Sequence, residues 1–181
     1  VVIGHQQFDA ALEVLVGTAE RLSCPTTVFG QDYGAHEEFG RMIYQDEFGL
    51  SDLPMPRLPG RHQLANAAAA IRAVKAAGFE VSERMMEKAM QSVEWPGRLQ
   101  RLMDGKLFQL APKGAELWVD GGHNPGAGEV IAEAMAGFEE KQSRPLFIIA
   151  GMINTKDPVG YFKAFADIAE YVFTVPIGGT D

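Results

Sequence analysis

Asp120-Gly121-Gly122-His123-Asn124-Pro125 places a carboxylate, two glycines, an imidazole and a capping amide between a strand and a helix. In an open α/β sheet, ligands bind beyond the carboxyl ends of the strands, where loops lead into helix N-termini. A carboxylate at that point can accept hydrogen bonds from ribose hydroxyls, and glycine lets a ligand approach the backbone. A turn in which Asp120 and Asn124 bond only to backbone is an equal alternative. Arg98 follows Trp95-Pro96-Gly97, and its planar fork suits a phosphate, although an ordinary surface ion pair would also use it. Asn66 lies early in an alanine-rich stretch after Pro59-Gly60-Arg61-His62-Gln63. Buried there, its amide needs partners on both its donor and acceptor sides, and an adenine edge or the backbone would supply them. His5, His36, His62 and His123 lack the close spacing of a metal site, so no metal ligand is assigned. The single cysteine, Cys24, excludes an intramolecular disulfide and a Cys-based zinc cluster and reads as a small buried apolar residue.

These groups need elements to hold them. Val1 to Gly4 reads as the end of a strand, and the apolar spacing Phe8, Leu12, Leu15, Val16, Ala19 and Leu22 predicts an amphipathic helix over 7–22. Thr26–Phe29 is a short strand, while residues 30–60, rich in Gly, Asp, Glu and Pro, carry at most one weak strand near Arg41–Phe48. Gln63–Ala77 predicts a tightly packed helix ended by Gly78, and Ser82 caps another whose methionines, Met85, Met86 and Met90, face the core. Pro96 and Gly97 break the helical pattern and mark a boundary.

Beyond it the sequence predicts strands at Leu99–Met103, Leu107–Leu110 and Glu116–Asp120, then a helix from about Gly126 to Glu140. A buried strand Leu146–Ala150, a helix from Pro158 to Glu170 and a last strand from Tyr171 to Pro176 follow. Strands alternating with such helices imply βαβ units and a parallel sheet, an α/β fold. Asn124-Pro125 and Asp157-Pro158 each set a capping side chain before a proline at the first helical position.

The 181 residues, 46% apolar and 22% charged, match soluble globular sequence. A net charge of −8 argues against nucleic acid or an anionic membrane as a partner. The charge is uneven: residues 1–56 carry two basic and nine acidic side chains, residues 57–181 fourteen and fifteen, so an anionic ligand meets less repulsion in the second part. No apolar run approaches the ~20 residues of a membrane span, and a cytoplasmic protein is expected. Both ends read as the interior of a longer chain.

Taken in order, Gly60-x-His62-Gln63-x-x-Asn66-Ala67, Trp95-Pro96-Gly97-Arg98-Leu99-Gln100, Asp120-Gly121-Gly122-His123-Asn124-Pro125, and Gly151-Met152 followed by Lys156-Asp157 resemble the folylpolyglutamate synthase/dihydrofolate synthase family. These are Mur-ligase-like ATP-dependent amide ligases, and the resemblance covers essentially the whole chain. It departs at Gly122, where the family usually has alanine, and at Asn154-Thr155, where a more charged pair is common.

The resemblance implies a remnant of a central ATPase domain over 1–94 and a Rossmann-like C-terminal glutamate-ligase domain with a mainly parallel sheet over 95–181. It places Asn66, Arg98 and Asp120 on the nucleotide, with the amide holding it, the guanidinium on the phosphate side and the carboxylate on the ribose. His123 lies beside them. ATP and magnesium are the implied cofactors; L-glutamate and folate or dihydropteroate are the substrates, and a monomer is expected. In such ligases the Gly-Lys-Ser/Thr phosphate loop, the magnesium ligands and a carbamylated lysine precede the equivalent of Val1, and the sequence contains no G-x-x-x-x-G-K-[ST]. The resemblance therefore implies a fragment that is inactive alone, with the Trp95–Arg98 turn as a hinge. Two alternatives stay open: another Mur-type amino-acid ligase and a non-catalytic nucleotide-binding module.

Overall fold

In the computed structural model, which describes residues 1–178, the chain opens with β1 (Val2–Ile3), followed by helix α1 (Asp9–Arg21) and β2 (Thr27–Val28), which pairs with β1 in parallel. Of the apolar residues spaced along α1 only Ala19 is buried, while Phe8, Leu15 and Leu22 are exposed. Residues 33–54 correct the loop expectation. They form an antiparallel meander of β3 (Tyr33–Glu38), β4 (Arg41–Asp46) and β5 (Gly49–Pro54). Its hairpins turn through two residues each, Phe39-Gly40 and Glu47-Phe48. Phe39 (φ 49°) and Gly40 (φ 74°) both take positive φ, as the primed turn that matches strand twist requires.

Helix α2 (His62–Ala76) packs on β3, and α3 (Glu83–Ser92) on β5. Gly78 (φ 83°) lies just beyond the end of α2, and the Ser82 hydroxyl accepts the Met85 N–H at the start of α3. The methionine stripe is narrower than expected: Met86 and Met90 are buried beneath β5, but Met85 is 58% exposed. Met42, Tyr44 and Leu53 are fully buried in the same core. The Tyr33 hydroxyl donates to the Ile3 carbonyl at 2.8 Å and ties the meander to the β1–β2 pair.

The chain divides into two compact units, Val1–Glu94 and Trp95–Asp181, each with its own core. In the second, β6 (Gln100–Leu102) pairs antiparallel with β7 (Leu117–Val119), and β8 (Leu146–Ala150) pairs parallel with β9 (Ala169–Thr174). Leu107–Leu110, read as a strand, belongs instead to helix α4 (Gly105–Leu110), which buries no residue. A four-residue apolar pattern does not separate strand from helix, and Gly105 with φ 86° starts the turn.

Helix α5 (Pro125–Lys141) precedes β8, and α6 (Pro158–Lys163) connects β8 to β9. The expected helix to Glu170 stops early. Tyr161, Phe165 and Ile168 keep apolar spacing, but the backbone passes through turns after Lys163 and re-enters a strand at Ala169. Asn124 and Asp157 cap α5 and α6 by accepting the N–H groups of Ala127 and Gly160. Among the described residues no helix is long and apolar enough to cross a membrane.

Gly128 is where α5 meets α6. A Cβ there would lie 2.5 Å from the Tyr161 carbonyl oxygen, and backbone cannot move aside as a flexible side chain can. Gly128→Ala is expected to cost about 1–3 kcal/mol through overpacking. An unchanged urea midpoint would show that the two helices are free to separate.

Candidate functional site

The sequence Trp95-Pro96-Gly97-Arg98 folds as its residue types demand. The Arg98 N–H donates to the Trp95 carbonyl at 3.2 Å, and Gly97 takes φ 72°, so Pro96 and Gly97 fill the two central positions of a type II turn. The Gly97 N–H donates to Gln100 Oε1 at 3.0 Å. Arg98 projects from this rigid turn as an exposed side chain and makes no ion pair among the described residues. The surface ion pair considered for it is therefore not formed within them.

The turn is fastened to the end of β7. The Gly121 N–H donates to the Gly97 carbonyl at 2.9 Å, and Asp120 Oδ2 accepts the Leu99 N–H at 2.8 Å. Asp120 Oδ1 accepts the Gly122 N–H at 2.6 Å. Between these anchors Leu99 adopts φ 41°, a conformation that costs a β-carbon residue energy, and buries its side chain in the core. Both carboxylate oxygens of Asp120 therefore serve the turn, as the backbone-only reading required. Each retains a further lone pair for a ligand, so the two roles are compatible. A Cβ on Gly122 would crowd Asp120 Oδ1 at 2.9 Å and Ile131 Cδ1 at 2.7 Å, so glycine here accommodates the Asp120 side chain.

His123 is exposed, with Nδ1 2.9 Å from the Gly121 carbonyl. In the tautomer that donates from Nδ1, Nε2 carries the lone pair. Arg98, Asp120 and His123 thus stand on two turns linked by hydrogen bonds.

Asn66 belongs to the first unit and is exposed on α2, which corrects the expectation that its amide is buried. Its Nδ2 donates to Gln63 Oε1 at 3.2 Å, and Gln63 Nε2 lies 2.7 Å from His62 Nε2. The His62 ring in turn sits against Gly60, where a Cβ would meet Cε1 at 2.5 Å and where φ is 106°. Gly60-x-His62-Gln63-x-x-Asn66 is one chain of contacts. Gln63, buried at its centre, is the residue to which sequence reasoning gave no role. Its signal was a polar side chain at i−3 from the candidate amide, the spacing of neighbours on one helix face.

Tyr161, from α6, is buried in the core of the second unit. Burial raises its phenol pKa and the Asp120 charge raises it further. Among the described residues no three His, Cys, Asp or Glu side chains gather to hold a metal. Arg98 offers a donor fork without an ion pair on a fixed turn, and each Asp120 oxygen keeps a lone pair, the group types that hydrogen-bond an anion and a hydroxyl.

No family model matches the chain. A dihydrofolate synthase/folylpolyglutamate synthase of Haemophilus influenzae is 28% identical over 99% of this chain and 41% of its own length. One of Escherichia coli is 31% identical over 75% of the chain and 29% of its own length. Among solved structures, E. coli FolC in complex with DHPP and ADP superposes with a TM-score of 0.81 over 99% of this chain and 39% of that one, at 22% identity. An FPGS–AMPPCP–folate complex gives a TM-score of 0.78 over 99% of this chain and 43% of that one, at 24% identity. The chain thus spans less than half the length of these relatives. With its mixed α/β units and relatives that match 75–99% of it, the chain belongs to the folylpolyglutamate synthase/dihydrofolate synthase family and corresponds to the C-terminal part of its members.

Proposed function

We propose that the chain contributes the nucleotide-facing C-terminal part of an ATP- and magnesium-dependent ligase that joins L-glutamate to folate or dihydropteroate. In this reading residues 1–94 are the end of a central ATPase domain and residues 95–181 a C-terminal glutamate-ligase domain. The enzyme works as a cytoplasmic monomer. One observation carries the reading: an exposed, unpaired guanidinium on a type II turn that is hydrogen-bonded to the turn bearing Asp120. Such a pair of turns holds a phosphate-binding and a ribose-binding group in fixed register, which is how positioning lowers a barrier. Asn66 adds a contact to the nucleotide, and His123 a weaker one.

A carboxylate resists amide formation because its oxygen leaves poorly. Transfer of the γ-phosphoryl group to that oxygen gives an acyl phosphate and releases ADP. The glutamate amine then attacks the carbonyl, loses a proton, and expels phosphate. If this sequence holds, ¹⁸O placed in the folate or dihydropteroate carboxylate must appear in the released phosphate of the full-length protein, and unlabelled phosphate would overturn it. Arg98→Ala is expected to weaken ATP binding by the full-length protein about tenfold, the worth of a charged hydrogen bond, with Arg98→Lys restoring only part because it lacks the planar fork. Equal affinity in all three proteins would remove Arg98 from the site.

A further inference from the structure

Three polar or charged residues are buried among the described ones: Asp46, Gln63 and Arg72. Two of them join separate elements. Asp46, on β4, holds Lys75 of α2 at 2.8 Å, and Arg72, on α2, reaches Thr27 Oγ1 at 3.3 Å and Glu47 Oε1 at 2.9 Å. Gln63 joins none. Both partners of its amide, His62 and Asn66, stand with it in the first turns of α2. A buried amide is costly unless both its ends are satisfied, and what this one fixes is local: the orientation of the exposed Asn66 side chain, three residues on along the same helix face.

The three side chains form a hydrogen-bond chain with a single direction. Gln63 Nε2 lies 2.7 Å from His62 Nε2. Two donors cannot face each other at that distance, so His62 Nε2 accepts and the ring proton sits on Nδ1. The His62 ring is itself packed on Gly60, where a Cβ would come within 2.5 Å of Cε1. With its NH₂ committed to His62, Gln63 turns Oε1 toward Asn66, and Asn66 Nδ2 donates to it at 3.2 Å. Asn66 Oδ1 accepts from no described residue. What Asn66 presents outward is therefore an acceptor.

We propose that Gln63 is a positioning residue that turns Asn66 Oδ1, rather than Nδ2, toward the nucleotide base, and so selects a base carrying an amine at that point over one carrying a carbonyl. A freely turning amide would serve either base, since it has a donor at one end and an acceptor at the other. Gln63 does not touch the ligand; it removes that ambiguity. This rests on the nucleotide reading given above.

The test is calorimetric binding of ATP and inosine triphosphate, which has a carbonyl where adenine has its amine, to the full-length protein and its Gln63→Met and Gln63→Glu variants. Wild type is expected to prefer ATP by about tenfold or more, because the carbonyl would face Asn66 Oδ1 with no proton between them. Gln63→Met keeps the length of the side chain but releases Asn66. It should bind ATP about five- to tenfold more weakly, the worth of one neutral hydrogen bond, and inosine triphosphate no more weakly than wild type does. Gln63→Glu still offers Asn66 Nδ2 an acceptor, with the His62 proton moved to Nε2, and should retain most of the preference. Because the readout is a ratio, partial unfolding lowers both affinities alike and leaves it unchanged. An ATP preference in Gln63→Met equal to that of wild type would overturn the proposal, and so would its loss in Gln63→Glu to the same extent as in Gln63→Met. A wild type that binds both nucleotides equally would also overturn it. Failure of the wild type to bind ATP would overturn the nucleotide reading itself, before any variant is compared.

Discussion

An Asp46→Ala variant is expected to lose about 3–5 kcal/mol of folding stability, because it removes one partner of a buried ion pair and strands the other. Asp46 ends β4 with its side chain only 1% exposed, and Lys75 Nζ from α2 reaches its Oδ2 at 2.8 Å. The Tyr44 hydroxyl donates to the same oxygen at 2.8 Å, and the Phe48 N–H donates to Oδ1 at 3.0 Å. The Lys75 ammonium also lies over the Tyr44 ring, 5.0 Å from its centroid. With the carboxylate gone, that ammonium, 18% exposed, has no counter-charge. Asp46→Ala combined with Lys75→Met should recover much of the loss, since removing both charges also removes their desolvation cost. A midpoint for Asp46→Ala equal to that of wild type, in chemical denaturation, would show that the pair contributes nothing.

The same pair sets a pH dependence. Burial pushes the Asp46 pKa up, but the hydrogen bonds from Lys75, Tyr44 and the Phe48 N–H outweigh it, so the folded-state value lies below the ordinary carboxylate value. Unfolding releases a carboxylate that binds its proton more tightly. The contribution is therefore complete above the ordinary carboxylate pKa of about 4 and disappears as the pH falls through the lower folded-state value. Wild type should lose more stability than Asp46→Asn between neutral pH and pH ~3.

Asp46 also explains why the meander was not legible. Along β4 the inward positions are Met42, Tyr44 and Asp46, a period-two pattern whose third member is a carboxylate and so reads as surface. Both turn aromatics point the wrong way for a pattern argument: Phe39 is 97% and Phe48 75% exposed. Capping residues were legible because their chemistry is local, as at Ser82, Asn124 and Asp157. The Trp95–Arg98 turn was legible for the same reason, since Pro and Gly each fix a dihedral.

Contacts between residues far apart in sequence were not legible. Nothing near Asp120 announces the Leu99 N–H, 21 residues away, as its partner. Asn66 misled because alanine on both sides suggested burial, whereas its own face of α2 is open. The apolar spacing on α1 likewise gave a helix correctly but not its burial.

Asp120→Asn is expected to act on stability and on ligand recognition at once. The carboxylate accepts a backbone N–H at each oxygen, whereas an amide offers one oxygen and turns an NH₂ toward the other donor. Losing one charged hydrogen bond and facing two donors together should cost about 2–4 kcal/mol, read as a lowered urea midpoint. The released Leu99, no longer held at φ 41°, would let the Arg98 turn drift from the β7 end, so nucleotide affinity would fall even if Asp120 never touched the ribose. Affinity alone cannot then separate a turn-holding role from a ribose-binding one.

Discrimination can. If the carboxylate binds the ribose, the full-length wild type prefers ATP to 2′,3′-dideoxy-ATP by about one to two decades, from a charged hydrogen bond of ~1.5–3 kcal/mol, and Asp120→Asn loses most of that preference. If Asp120 only holds the turn, both proteins discriminate equally while the variant binds each nucleotide more weakly. Measured well below the variant's unfolding temperature, equal discrimination would take the ribose away from Asp120 and leave it as the clamp between the two turns.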